Sequence, residues 1–490
     1  MKNFSRKVSL VLIALLAVTM AFTACNRNGD DEVRDTVVAD TGAVADTGTA
    51  EDPQEEVQNI SGIHAPIDMG GRTLRAASGW GNPMPFNPQE AHDEPDPSTS
   101  TDYHRDRLIW DNAQRVRDEF NFVLEGVHVM DDFMGMLTAS ILAGDPIGDL
   151  VFLEGGGLLS AANGELIMPW GVTNVPGSDI FGGPNHYGRV NTSFFGEDWA
   201  IYYNMPSPHV WMMGVNMDII NTIGAPSPID LHNNGQWTWD AALNIMRMAT
   251  RDTTGDGMFD QWGLSGQVEV LARHILASND APTVDDDFNY ALDHPNTIEA
   301  LEFLQTIFLE GLWQYDVGAG FDPWDWGRNH YALLEGNSVF FGAILWGLGG
   351  GDLPFELAVV PWPTGPSNTA GYTWWGSFGG GLTLPFGSEW DPNHKLIIVE
   401  EFLAWPGDEV ELMFEGGLNW PRQVLHSEED VQRWFASSLT PRLDLGSLVP
   451  GYYHVLGAMV HQMYLQEMTI QQMIEHHRPE RQAMLDDFFR

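Results

Sequence analysis

Cysteine is almost absent from this chain. Cys25 is the only one in 490 residues, so no intrachain disulfide can form and stability has to come from a packed core. Long apolar runs are scarce as well. Beyond the first 24 residues no segment has the uninterrupted length of about 20 residues that a membrane span needs. Basic residues are few: 23 Lys and Arg stand against 68 Asp and Glu, for a net charge of −45. Such a surface repels nucleic acid and anionic head groups. It reads as solubility, or as adaptation to an alkaline or salty exterior, and it disfavours only a strongly anionic ligand. Catalytic signatures are missing too. There is no His-Glu-x-x-His, and the Gly-rich stretches Gly155–Gly157 and Gly379–Gly381 have no basic residue behind them to hold a phosphate. With 68 acids the paired carboxylates of a glycosidase stay open as a rival reading.

The N-terminus decides the compartment. Lys2, Arg6 and Lys7 precede the apolar stretch Val8–Ala24, and Cys25 follows. A basic start, a short apolar stretch and small residues before a cut describe a secretory signal, too short and wrongly flanked for a transmembrane helix. The string Ala21-Phe22-Thr23-Ala24-Cys25 resembles the bacterial lipobox, with Phe22 where Leu is usual. The resemblance implies that Cys25 is lipidated and becomes the new N-terminus. The expectation is a lipoprotein signal at residues 1–25 and an extracytoplasmic protein on the outer face of the cell membrane, attached by its N-terminal lipid alone. Losing the three signal cations brings the net charge to about −48 and leaves Lys395 as the only lysine. Residues 26–61 follow as a tether. Val38-Ala39-Asp40-Thr41-Gly42 recurs as Val44-Ala45-Asp46-Thr47-Gly48, and this acidic segment without aromatics cannot repay the entropy of ordering.

The remaining residues, 62–490, are too many for one simple core, so two lobes are expected. Thr73–Ala77 reads as a strand, Tyr103–Phe120 as a helix with Leu108, Ile109, Val116 and Phe120 at helical spacing, and Phe122–Val127 as a second strand. Phe133–Leu142 is a second helix and Asp149–Glu154 a third strand, with a Gly-rich turn behind it. This alternation predicts an α/β lobe with a mostly parallel sheet. Ligands of such sheets sit at the carboxyl ends of strands, which singles out Trp80 and Glu154.

From here the chain resembles the extracellular solute-binding proteins of carbohydrate ABC importers, family 1. Val215-Asn216-Met217-Asp218 is similar to the family's Tyr-Asn-Lys-Asp opening of a helix, with Val and Met as departures. Ile223-Gly224-Ala225-Pro226 resembles its Ala-Gly-x-Pro turn, and Gly235-Gln236-Trp237-Thr238-Trp239-Asp240 its Gly-x-Trp-Thr-Trp-Asp motif, in which Thr238 also reads as an N-cap. Asn337–Trp346 resembles the strand that ends in a Trp facing the cleft, Val359–Pro366 the proline-rich stretch, and Gly376–Pro385 the strand that returns the chain between lobes. The resemblance implies a two-lobe, type II periplasmic-binding-protein-like α/β fold with crossover strands and a ligand cleft. One lobe would hold 62–205 plus 380–425 and the other 206–379 plus 426–490. It also implies a monomeric, non-enzymatic binding component that captures a sugar or oligosaccharide and delivers it to a membrane ABC permease. A lipid-anchored glycoside hydrolase and a sugar sensor for a membrane kinase are the rival readings.

Sugars present apolar C–H faces to aromatic rings and hydroxyls to polar groups. With 19 Trp in the chain, the expected platforms are Trp80, Trp346 and one of Trp374 or Trp375, with Trp420 as a cleft-edge candidate and Glu154 as the first hydroxyl acceptor. Trp237 and Trp239 read as packing residues. The loop Asp252-x-Thr254-x-Asp256-Gly257-Met258-x-Asp260 has the first half of an EF-hand spacing, the Met258 position supplying a backbone carbonyl, but Gly263 stands where the bidentate Glu belongs. Structural calcium and an Asx-rich turn closed by hydrogen bonds are both open for it; no other cofactor is expected.

Overall fold

The computed structural model describes residues 62–489 except 80–93, 95–102, 130–131, 154, 179–192, 195, 202–209, 315–334, 345–347, 349–352, 377–379, 404–417, 419–420, 426, 439–440 and 450. The signal and tether (1–25 and 26–61), Cys25, Trp80, Glu154, Trp346 and Trp420 lie outside these described residues.

The chain begins as the sequence predicts. Strand β1 (Arg72–Ser78) is followed by helix α1 (Tyr103–Phe120), β2 (Phe122–His128), α2 (Phe133–Leu142), β3 (Leu150–Leu153), α3 (Gly155–Asn163) and β4 (Ile167–Met168). The helix α1 turns Leu108, Ala113, Val116 and Phe120 inward, as its spacing requires. One expectation is corrected. Gly155–Gly157 is not a turn but the first turn of α3. Glycine weakens a helix by about 1 kcal/mol per residue, yet Leu158, Leu159 and Ala161 in α3 are fully buried, and packing of that apolar face outweighs the propensity.

The second half contains β5 (Trp211–Asn216), α4 (Met217–Ile223), α5 (Pro228–Asn233), α6 (Trp239–Ala249), β6 (Trp262–Ser265), α7 (Val268–Ala277), α8 (Pro295–Leu309), β7 (Trp313–Gln314), β8 (Ser338–Ile344) and β9 (Leu357–Val360). Then come β10 (Trp374–Gly376), β11 (Gly381–Pro385), α9 (Pro392–Phe402), α10 (Glu428–Ser438), β12 (Pro441–Leu443), α11 (Tyr452–Tyr464) and α12 (Ile470–Phe489). Two five-stranded sheets result, in the orders β2-β1-β3-β11-β4 and β9-β5-β8-β6-β7, and β10 pairs with β12 in a small parallel ribbon. In the first sheet β1, β2 and β3 are parallel and β11 runs against β3. In the second, β8 is parallel to β6 and antiparallel to β5. The fold is two-lobed α/β. Thr238 caps α6 with its hydroxyl accepting from the Ala241 N–H. Trp237 and Trp239 are core residues: their indole N–H groups donate to Pro361 O (2.8 Å) and Ser278 Oγ (3.1 Å), and Trp239 stacks on Phe303 at 4.4 Å. Among the described residues no helix is long and apolar enough to cross a membrane.

Lys395 on α9 is fully buried, and among the described residues its Nζ has no hydrogen-bond partner. Burial pushes its pKa down from 10.5 to about 8, against the attraction of Asp149 and Asp391. Below pH 8 the amine is charged in both folded and unfolded chains, and burial penalises the fold. Between about pH 8 and 10.5 the folded protein sheds the proton while the unfolded chain keeps it, so this penalty is relieved as pH rises. Lys395→Met is therefore expected to stabilise the protein by up to about 3 kcal/mol at pH 7. The gain should shrink towards pH 10 in paired urea titrations; a gain that did not change with pH would assign it to packing alone.

Candidate functional site

The geometry of the two passages between sheets locates the junction of the lobes. After β10 the chain reaches β11, whose first residue Gly381 pairs with Leu153 at the carboxyl end of β3. The other passage leaves the first sheet at Ile201, bridged to Leu382 beside the same end of β3, and enters the second sheet at Trp211. Trp211 in turn pairs with Ile344 at the carboxyl end of β8. The passages thus run from the carboxyl end of β3 to Trp211 and to Trp375.

An aromatic and ionic cluster stands at these arrival points. Trp375 is half-buried; the Arg273 guanidinium lies over its ring at 4.6 Å, a cation–π contact that fixes the indole. Arg273 also pairs with Glu269 one helical turn earlier on α7, the i,i+4 spacing that puts both on one face. His274, fully buried next to Arg273, stacks on Trp362 at 4.7 Å and meets Trp211 at 6.0 Å and Trp375 at 6.5 Å. Trp362 is itself fully buried, and its indole N–H donates to Trp211 O at 3.0 Å. His274 Nδ1 lies 2.8 Å from Val270 O, so Nδ1 carries the proton, and Nε2 is buried without a partner among the described residues. Burial, reinforced by the Arg273 charge, pushes the His274 pKa down to about 3, so the ring is neutral and serves as an aromatic support. The half-buried members Trp211, Trp375 and Arg273 form the accessible edge, backed by Glu269, Trp362 and His274. The arrangement offers ring faces and a guanidinium held by a buried carboxylate, groups suited to binding.

Successive residues of a strand point to opposite faces, and this separates the two predicted tryptophans. Trp374 turns into the core, 7% exposed, with its indole N–H donating to Ser437 O at 2.8 Å. Trp375 takes the α7 side. Sequence reasoning missed Trp211, Glu269, Arg273, His274 and Trp362. The available signal was in α7, where Glu269, Arg273 and His274 interrupt an otherwise apolar ten-residue run.

The aspartate loop lies elsewhere, between α6 and β6. Asp252 Oδ1 accepts from the Gly255 N–H (2.6 Å) and the Thr254 N–H (3.1 Å), and Oδ2 accepts from the Gly257 N–H (2.7 Å). Asp260 Oδ1 accepts from the Thr253 N–H and hydroxyl, both at 2.8 Å, and Asp256 Oδ1 from the Met258 N–H at 2.9 Å. These bonds hold the Asp252 and Asp260 carboxyls below their ordinary range. Among the described residues no three His, Cys, Asp or Glu side chains converge on a common centre. The carboxylates of this loop accept from N–H groups and a hydroxyl of the loop itself. The melting temperature is expected to be the same in chelator and in excess calcium. A rise with calcium would mean that Asp252, Thr254, Asp256, the Met258 carbonyl and Asp260 rearrange around a cation.

No protein-family model matches the chain, and no curated protein matches its sequence. Solved structures do match its fold. UspC from M. tuberculosis has 14% sequence identity and a TM-score of 0.59, with 84% of this chain and 100% of that one covered. The sugar-binding protein MalE from Xanthomonas citri has 12% identity and a TM-score of 0.59 over 85% and 98% of the two chains. The cyclic alpha-maltosyl-1,6-maltose binding protein from Arthrobacter globiformis has 13% identity and a TM-score of 0.57 over 85% and 100%. At these identities the likeness is one of fold: this chain is built as two-lobe solute-binding proteins are built.

Proposed function

We propose that this chain is the extracytoplasmic substrate-binding component of an ABC importer, anchored through Cys25, which captures a neutral sugar or oligosaccharide between its lobes and delivers it to a membrane permease. The observation that carries this reading is the cluster at the lobe junction. Trp211 and Trp375 supply rings for sugar C–H faces, and Arg273, braced from behind by Glu269, supplies donors for hydroxyls. Trp80 and Glu154 from the first lobe, with Trp346 and Trp420, are proposed to complete the site, and Trp374 supports it from the core. Closure of the two lobes around the ligand by a hinge motion would bring the walls together. The names of the structural neighbours agree: one was solved with cycloalternan and another with maltotriose.

A thermal-shift screen against neutral oligosaccharides tests the reading. A ligand at a hundredfold excess over its Kd stabilises the fold by about 2.7 kcal/mol. At least one saccharide is expected to raise the melting temperature saturably, and a flat response across the panel would overturn the assignment.

A further inference from the structure

We infer that the second lobe carries an additional saccharide site, a groove between α5 and α10 on the opposite side of β10 from Trp375. The inference rests on the sugar-binding reading above and concerns a separate surface. Trp374 and Trp375 mark the two sides of β10: Trp375 meets Arg273 and His274 on α7, whereas Trp374 reaches Ser437 on α10. A cavity of about 690 Å3 lies on the α10 side, within the range of about 300–1,000 Å3 typical of small-molecule sites.

The lining selects the ligand class. His232 and Tyr372 contribute two rings that meet edge-to-face at 4.5 Å, an amphipathic surface of the kind that packs on C–H groups. Beside them His232 Nδ1 is buried and has no partner among the described residues. Burial and the Arg433 charge hold the His232 pKa below 6.5, so the ring is neutral and adds no charge. The charged residues on the wall are already engaged. Arg433 pairs with Asp430, sits 3.8 Å from Glu429, and donates from Nε to Val359 O at 3.0 Å. Glu428 is held by Arg422 at 3.1 Å and by Gln432 at 2.9 Å. Among the described residues of the wall each arginine is engaged by carboxylates, and the acidity of the rim repels an anion. Rings, amides and a neutral imidazole, beside an acidic rim that disfavours anions, fit a neutral polyhydroxylated ligand. Ala436, exposed on α10, gives the wall a small side chain where a larger one would fill the space.

Native mass spectrometry of the full chain with saturating maltotriose, cellotriose or xylotriose counts the sites directly. Two saccharides per chain are expected for the wild type. One is expected for Ala436→Trp, which blocks the groove from an exposed position, and for Tyr372→Ala, which removes a ring. Trp375→Ala should lose the other molecule instead. A single saccharide in the wild type, or two retained by both groove variants, overturns the groove and leaves the lobe-junction reading intact. Binding of none of the three overturns both. Thermal unfolding of Ala436→Trp like that of the wild type confirms that its fold is unchanged.

Discussion

Trp375→Ala is expected to weaken saccharide binding by about tenfold to a hundredfold while lowering the melting temperature only slightly. A ring stacked on an apolar sugar face contributes about 1–3 kcal/mol, and about 1.4 kcal/mol is a factor of ten in affinity. The indole is half-buried and braced by Arg273 rather than embedded, so its loss costs the fold little. The neighbouring Trp362 is the control. It is fully buried, stacked on His274 and hydrogen-bonded to Trp211 O, and removing such a core Trp costs about 3–5 kcal/mol of stability. Calorimetric titration and thermal unfolding of both variants separate binding from packing. If Trp375→Ala bound normally but melted far below the wild type, Trp375 would belong to the core and its platform role would be lost.

Cys25→Ser is expected to move the protein from the membrane fraction to the soluble one, or to leave the signal uncleaved. The basis is the Ala21–Cys25 string and the absence of any other cysteine. In this reading the lipid on Cys25 holds the processed protein at the membrane, and lipid anchoring scales with buried chain length rather than with protein surface. The strongly acidic body adds no attraction to anionic head groups. Fractionation with intact-mass analysis of the N-terminal peptide reads the outcome, and a soluble wild-type protein without lipid mass on Cys25 would refute the anchor.

The fold was legible wherever one local signal dominated. The helices α1 and α2 occupy the spans that the sequence predicts, and Thr238 caps α6 because its hydroxyl has an N–H to accept from. The start of α3 was not legible, since three glycines at 155–157 mimic a turn and only the burial of Leu158 and Leu159 reveals the helix. For the site, the alternation of a strand showed that Trp374 and Trp375 face opposite ways. Which way was core depended on Ser437 and Arg273, 63 and 102 positions away in sequence respectively. The cluster around His274 escaped for the same reason: Trp211, Arg273, Trp362 and Trp375 are distant in sequence and meet only because β5, α7 and β10 converge at the lobe junction. The spacing of the aspartate loop suggested a cation, and only the hydrogen bonds show how its carboxylates are engaged.

The most direct measurement is equilibrium dialysis of the purified chain against a labelled neutral oligosaccharide chosen from the thermal screen, followed by chromatography of what is released on denaturation. The account predicts saturable retention of the sugar, loss of most of that retention in Trp375→Ala, and recovery of the oligosaccharide at its original length. Retention of no saccharide, or recovery of shortened products in proportion to time, would contradict it.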